Sequence, residues 1–311
     1  MAERSSRSGK KVVKASSAPK TETAKIADED LKKEAERRVR EGEGFKASAE
    51  AKQGAKTKRI VAAVLWGVAI ILEGVAIWYL LTQLRGTNVD GEPITQPSWL
   101  LWALIGLLVV IGILTIIGSQ LWKAANQADP ASRQEPVKFF IQNQLGAIIP
   151  IVAFLPIILV IVLNKNLDSK TKGIAGAVGA VVLVAAVLLG IEWNPNSQES
   201  ETQGLIVAEG QSDEYTAIVV ELTGADEVAW TPAGKVYHLC TDVSAVNQES
   251  AANEIRVGSV AEAHADGKIG LTLQVDQELD QCGFDEPANL DEIEDQIRQL
   301  RDEYEAAKQV D

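Results

Sequence analysis

Four stretches of this chain are too long and too apolar to shield one another from water, and they constrain everything around them. Residues 60–81 run apolar with Glu73 as their one charge, and Trp78 and Tyr79 stand near the far end, where interfacial aromatics anchor a span. Residues 99–122 form a second run, bracketed by Trp99, Trp102 and Trp122. A hydrocarbon core needs about 20 such residues in a helix, so both are expected to cross a bilayer. Residues 145–163 are a third, uncharged run, but they contain Pro150 and Pro156 and so either span with kinks or re-enter without crossing. Residues 174–191 are the fourth. Here Gly176 with Ala180, and Ala175 with Gly179, have the four-residue spacing that lets helices approach closely. That spacing suits packing within one bundle, with a homodimer as the lesser alternative. The fold class expected is a membrane all-α helical bundle of about four transmembrane segments, with a disordered or helical N-terminal tail and a small α+β C-terminal soluble domain.

A carboxylate within the first span is costly. If ionised, Glu73 opposes insertion by about 2.5 kcal/mol or more, so it must be protonated, paired or hydrated. A lone ionisable group makes no relay, so a protonated Glu73 hydrogen-bonded inside the bundle is favoured over an ion or proton site.

Charge is segregated along the chain. Residues 1–59 carry net +7, residues 60–191 net +1 and residues 192–311 net −21. The first 59 residues lack the apolar core of a cleavable signal peptide. Residues 1–25, rich in Ser, Lys and Ala, cannot bury enough surface to offset chain entropy and are expected to be disordered. Residues 27–40 have good helix formers and an acidic start running into basic residues, which suits the helix dipole. Leu31, Ala35 and Val39 mark a thin apolar face on this helix. Phe45 is the one aromatic residue of the tail, and isolated apolar anchors of this kind are how short linear motifs engage folded partners. Leu31, Val39 and Phe45 are therefore candidate partner-binding residues. The mixed charge of the tail argues against nucleic acid, whereas Lys56–Arg59 suits anionic lipid.

Residues 192–202 read as a polar linker, 203–288 as the small α+β domain and 289–311 as an amphipathic helix. Within the domain, residues 227–239 resemble a hairpin around Pro-Ala-Gly. Ser259 with Glu262 forms a capping box for a short helix ended by Gly267, and residues 269–275 alternate as a strand does. Leu290, Ile293, Ile297, Leu300 and Tyr304 repeat at spacings of three and four, an a/d seam too short for a self-sufficient coiled coil and expected to dock on its own domain.

The chain has two histidines and two cysteines, and His238, Cys240, His264 and Cys282 would suffice in number for tetrahedral zinc. His238 and Cys240 would share a strand face, but His264 and Cys282 lack companions at ligand spacing, so no cofactor is expected. A Cys240–Cys282 disulfide would fit only an exterior domain. There is no nucleophile elbow, no phosphate-cradling glycine loop and no zincin helix, so an enzyme is not expected.

Three segments carry a resemblance: FFIQNQLGAIIP at 139–150, NKNLDSKTKGIAGAVG at 164–179 and WTPAGKVYHL at 230–239. Together they resemble an uncharacterised family of bacterial multi-span membrane proteins. Its soluble tail often carries a Tyr-His motif followed by cysteines in a small metal-binding-like module. Tyr237 and His238 match that motif, but Val243 and the LTLQV of 271–275 stand where the cysteines would fall. The resemblance therefore implies a folded recognition module on a membrane bundle. A fainter similarity is to membrane receptors that present an aromatic-anchored peptide to gephyrin-like scaffolds.

Lys46, Lys52, Lys56, Lys58 and Arg59, just before the first span, place the tail in the cytoplasm. Four crossings would return the acidic domain there, at the expense of leaving Lys165, Lys170 and Lys172 outside; a re-entrant third segment would put the domain outside instead. Four crossings are favoured, because span length is the stronger constraint. The function expected is a non-enzymatic multi-pass membrane anchor or receptor that recruits a cytoplasmic protein, such as a cell-division or envelope-growth scaffold, through its tail. The rivals are a membrane sensor binding a ligand or metal through the acidic domain, and a small transporter or channel using Glu73.

Overall fold

The computed structural model describes residues 11–14, 28–82, 99–249 and 254–309. They form two compact units, one from the described residues of Met1–Ala51 and Ser197–Asp311, the other Lys52–Asn196. Of the stretch read as disordered, residues 1–10 and 15–25 lie outside the described residues.

The apolar runs become four helices long and apolar enough to cross a membrane: α2 (Ala49–Thr82), α3 (Trp99–Ala128), α4 (Pro136–Leu163) and α5 (Ser169–Gly190). Their large aliphatic residues, among them Val64, Ile71, Ile113, Leu159 and Val181, face outward, and the core between them holds Leu104, Leu108, Phe154, Ile157 and Ile161. An outer surface this apolar has no stable contact with water and suits lipid. Pro at the first turn starts α4, where its missing N–H is no loss. Asp168 caps α5 by accepting from the Thr171 amide at 2.9 Å.

Both prolines of the third run lie inside α4, which continues as one helix past them rather than breaking. Pro150 cannot donate to the Gly146 carbonyl one turn back. The Ser119 hydroxyl of α3 donates to that oxygen at 2.7 Å instead. Beside Pro156, the Ile157 amide donates to Glu73 Oε1 at 3.3 Å. Neighbouring helices thus answer the backbone groups that proline disturbs, which is what permits proline in an apolar span.

Small residues set the α4–α5 spacing. Ala175, Gly176 and Gly179 are buried against the bundle, as the four-residue spacing implies, while Ala180 is exposed. The closest approach is elsewhere: a Cβ on Gly190 would lie 2.1 Å from the Gly146 oxygen.

The other unit begins with β1 (Lys11–Lys14), in a stretch expected to be disordered, which pairs in parallel with β3 (Glu254–Gly258). β2 (Val228–Trp230) pairs with the other edge of β3, antiparallel, and Ala229 exchanges two 2.8 Å backbone bonds with His238, closing the expected hairpin. Helix α1 (Asp28–Glu41) falls where the tail helix was expected. The α6 helix (Gln198–Gly210) begins inside the stretch read as a linker, because Ser197 and Ser200 cap it reciprocally. After it come α7 (Ser212–Thr223), α8 (Ser244–Glu249) and α9 (Val260–Ala265), the last carrying the expected Ser259/Glu262 capping box. Residues 269–275 do not form a strand. Gly270 packs its backbone against the Tyr215 ring, Leu271 makes one isolated bridge to Tyr237, and Thr272 Oγ1 accepts from the Gln274 amide as α10 (Val275–Cys282) begins. In α11 (Leu290–Ala307) all five seam residues are buried, and Leu290, Ile293, Ile297 and Leu300 join Tyr215, Trp230, Tyr237, Leu271 and Leu279 in one core.

Two substitutions test the proline compensation and the close helix approach. Gly190→Ala forces backbone apart and should destabilise the bundle by roughly 1–3 kcal/mol. Ser119→Ala, which orphans a buried carbonyl, should cost about as much. Thermal unfolding of the full chain in neutral detergent reads both.

Candidate functional site

The tail helix and the turn after it are folded against the C-terminal part of the chain. Leu31 and Ala35 pack on Ile206 of α6 and Ala307 of α11. Arg38 reaches across to Glu209 at 2.9 Å and back to Glu34 at 3.1 Å. Gly42, at φ +78°, ends α1, and the Glu43 and Gly44 amides both return to the Arg38 carbonyl. Gly44 then passes so close that a Cβ would sit 2.8 Å from Thr202 Oγ1, and the Phe45 amide donates to that hydroxyl at 2.9 Å. Phe45 and Val39 are half-buried, and Leu31 is buried. The tail face marked by Leu31 is thus occupied within the chain, and what α1 leaves exposed is charged: Lys33, Glu36, Arg37, Arg40 and Glu41.

A strand segment and a helix turn meet at the second site. His238 and Cys240, two apart, oppose Glu278 and Cys282, four apart on α10, so each pair presents one face. His238 Nδ1 and Glu278 Oε1 are 2.6 Å apart, and the Leu239 amide donates to Glu278 Oε2 at 3.0 Å. Cys240 and Cys282 are joined as a disulfide across 42 residues of sequence. Glu278 is the residue that sequence reasoning missed; its signal was its position one turn before Cys282.

His264 sits apart from this pair. Its Nδ1 donates to the Lys268 carbonyl at 2.8 Å, and its ring stands edge-on to Tyr237 and tilted to Tyr215. The four residues that would suffice in number for zinc are not brought together as a set: both sulfurs are bonded to each other, and the two imidazoles serve different hydrogen bonds. Among the described residues, no group of three or more His, Cys, Asp or Glu is placed to hold a metal. Burial holds the His264 imidazole neutral, with its pKa lowered from 6.5 to about 4, and pushes the Tyr237 hydroxyl well above the ordinary tyrosine range. The disulfide can exchange two electrons at sulfur, and the separate His264 imidazole does not titrate near neutrality.

Glu73 of α2 is buried, with 4 % of its surface exposed, and lies in the helix bundle beside the Ile157 amide.

The chain matches no family model, no curated protein and no solved structure.

Two outcomes follow from this geometry. An unfolded chain protonates its histidines near pH 6.5, whereas folded His264 resists until about 4, so its contribution is complete above pH 6.5 and is lost as pH falls toward 4. The loss is on the order of 3 kcal/mol, and His264→Asn should flatten this part of the stability profile measured by urea unfolding between pH 7 and 4. Reducing the Cys240–Cys282 bond should lower stability by about 2–4 kcal/mol, read from denaturation with and without dithiothreitol.

Proposed function

We propose that this chain is a non-enzymatic membrane anchor or receptor that recruits a cytoplasmic protein through a platform built from both of its ends. The observation that carries the reading is the packing of α1 and the Gly42–Phe45 turn onto α6 and α11. Two segments folded against each other lie on one side of a membrane, so this contact supports an even number of crossings, four, and weighs against the three-crossing arrangement. With four, the basic residues Lys52, Lys56, Lys58 and Arg59 share a side with Lys123, Arg133 and Lys138 around the α3–α4 connection. That density of Lys and Arg favours the cytoplasm. The recruiting surface we propose is the charged outer face of α1 with the half-exposed edge of Phe45; Leu31 and Val39 act by fixing that face in position.

A second reading draws on one observation, the Cys240–Cys282 bond. Disulfides persist on the oxidising side of a membrane, and a domain there would suit a sensor. The two readings differ in the side on which both chain ends lie.

Impermeant maleimide separates them, since Cys240 and Cys282 are the chain's two cysteines. Labelling confined to lysed cells after reduction is the outcome expected for the recruiting platform. Labelling of intact cells after an impermeant reductant would overturn it in favour of the sensor. On the cytoplasmic outcome, Phe45→Ala should cut the recovery of a specific co-purifying protein by about tenfold, the effect of losing one buried aromatic anchor. Unchanged recovery from the variant would remove Phe45 from the role.

A further inference from the structure

One end of the bundle carries a groove of about 650 Å³, lined by Arg59, Trp122, Val137, Lys138, Ile141 and Gln142. We propose that it binds the headgroup of an anionic phospholipid. Arg59 immediately precedes the apolar run of α2, Trp122 closes that of α3, and Val137 and Lys138 open α4. Arg59 is fixed to the α3 end by two 2.9 Å bonds to Asp129, one to its carboxylate and one to its carbonyl, so these termini share one interface. That is the depth at which bilayer phosphates lie and at which Trp and basic side chains are enriched.

The lining has the two chemistries a lipid needs. Val137 and Ile141 are 71 % and 47 % exposed and continue the apolar outer face of the bundle, where acyl chains would run. On the polar side, the Arg59 guanidinium stands 6.0 Å from the centre of the Trp122 ring. Both of its terminal nitrogens bond Asp129, and one also reaches Asn126 Oδ1 at 3.5 Å, which fixes the guanidinium in place. The side chain is 24 % exposed, so its delocalised charge faces an anionic headgroup. Lys138 bonds Glu135 at 2.7 Å and remains 61 % exposed, leaving ammonium donors for a second oxygen. The first-turn amides of α4 add a positive dipole end beside it.

Charge selects the headgroup. Arg59 and Lys138 balance Glu135 and the Asp129 bonded to Arg59, and Lys56, Lys58, Lys123 and Arg133 of the same end leave the surroundings of the groove positive. A phosphodiester with no cation of its own, as in phosphatidylglycerol, complements this charge. The quaternary ammonium of phosphatidylcholine would bring a second cation against Arg59 and Lys138. This inference concerns the bundle alone and holds whichever side the chain ends occupy.

The test uses the full chain in neutral detergent, titrated with phosphatidylglycerol or phosphatidylcholine and read by native mass spectrometry, with thermal unfolding confirming that each variant folds. Phosphatidylglycerol should be retained about tenfold better, the fold-change of one charge-assisted hydrogen bond. Arg59→Gln also loses the Asp129 pair, so Lys138→Gln, at an exposed position, is measured beside it. Loss of the preference in either folded variant supports the groove. Equal retention of both lipids by the unaltered chain would overturn the proposal, and so would a preference that survives both substitutions and therefore resides elsewhere, such as at Lys165, Lys170 and Lys172.

Discussion

In hydrocarbon no water is present to satisfy a backbone N–H or C=O, so each must find its partner inside the protein. The bundle is organised around that requirement. Its polar side chains are spent largely on backbone oxygens of neighbouring helices: Trp66 on Thr115 at 3.3 Å, Ser119 on Gly146, Gln120 on Leu189 at 3.0 Å and Asn164 on Leu80 at 3.1 Å. Glu73 belongs to the same set, offering an oxygen to the Ile157 amide. Each such bond joins two helices, and those at Gly146, Leu189, Leu80 and Ile157 also satisfy a backbone group left open by a proline or a helix end. The α4 helix can therefore carry two prolines and still run its full length.

The acidic unit meets a different difficulty, since net −21 over residues 192–311 works against compaction. Its buried carboxylates are individually answered. Glu201 accepts from Tyr304 at 3.0 Å and pairs with Lys308 at 3.0 Å, and Glu278 holds His238 and the Leu239 amide. Buried charges without such partners would be far costlier than the repulsion among exposed ones. The N-terminal helix contributes here as well, bringing Arg38 to Glu209.

Elements governed by local rules were legible in the sequence. Apolar length gave the four helices, Ser259 with Glu262 gave α9, and the three-four repeat gave the buried face of α11. The failures lie where distant residues decide. Alternation at 269–275 has the pattern of a strand, yet the Tyr215 ring claims the space at Gly270 and the chain turns into a helix. The α6 start was hidden because Ser197 is answered by a serine three residues on, where the familiar box has Glu or Gln. Counting His and Cys suggested a metal set, but composition cannot say that Glu278 would take His238 and that the sulfurs would take each other. Leu31 is a candidate partner-binding residue by sequence, and nothing local shows that Ile206 and Ala307 cover it.

That last contact has a consequence for how the protein is made. The helix bearing Leu31 leaves the ribosome well before Ala307, which together with Ile206 covers it. Translation at roughly 5–20 residues per second separates the two by tens of seconds. Until Ile206 follows the four apolar helices out, the amphipathic face of α1 waits without its cover. The newly made α1 is then an exposed apolar stripe tethered to four apolar helices, a natural client for a chaperone. A chain truncated before α11 would keep Ile206 on that face and lose the part of the cover that Ala307 supplies.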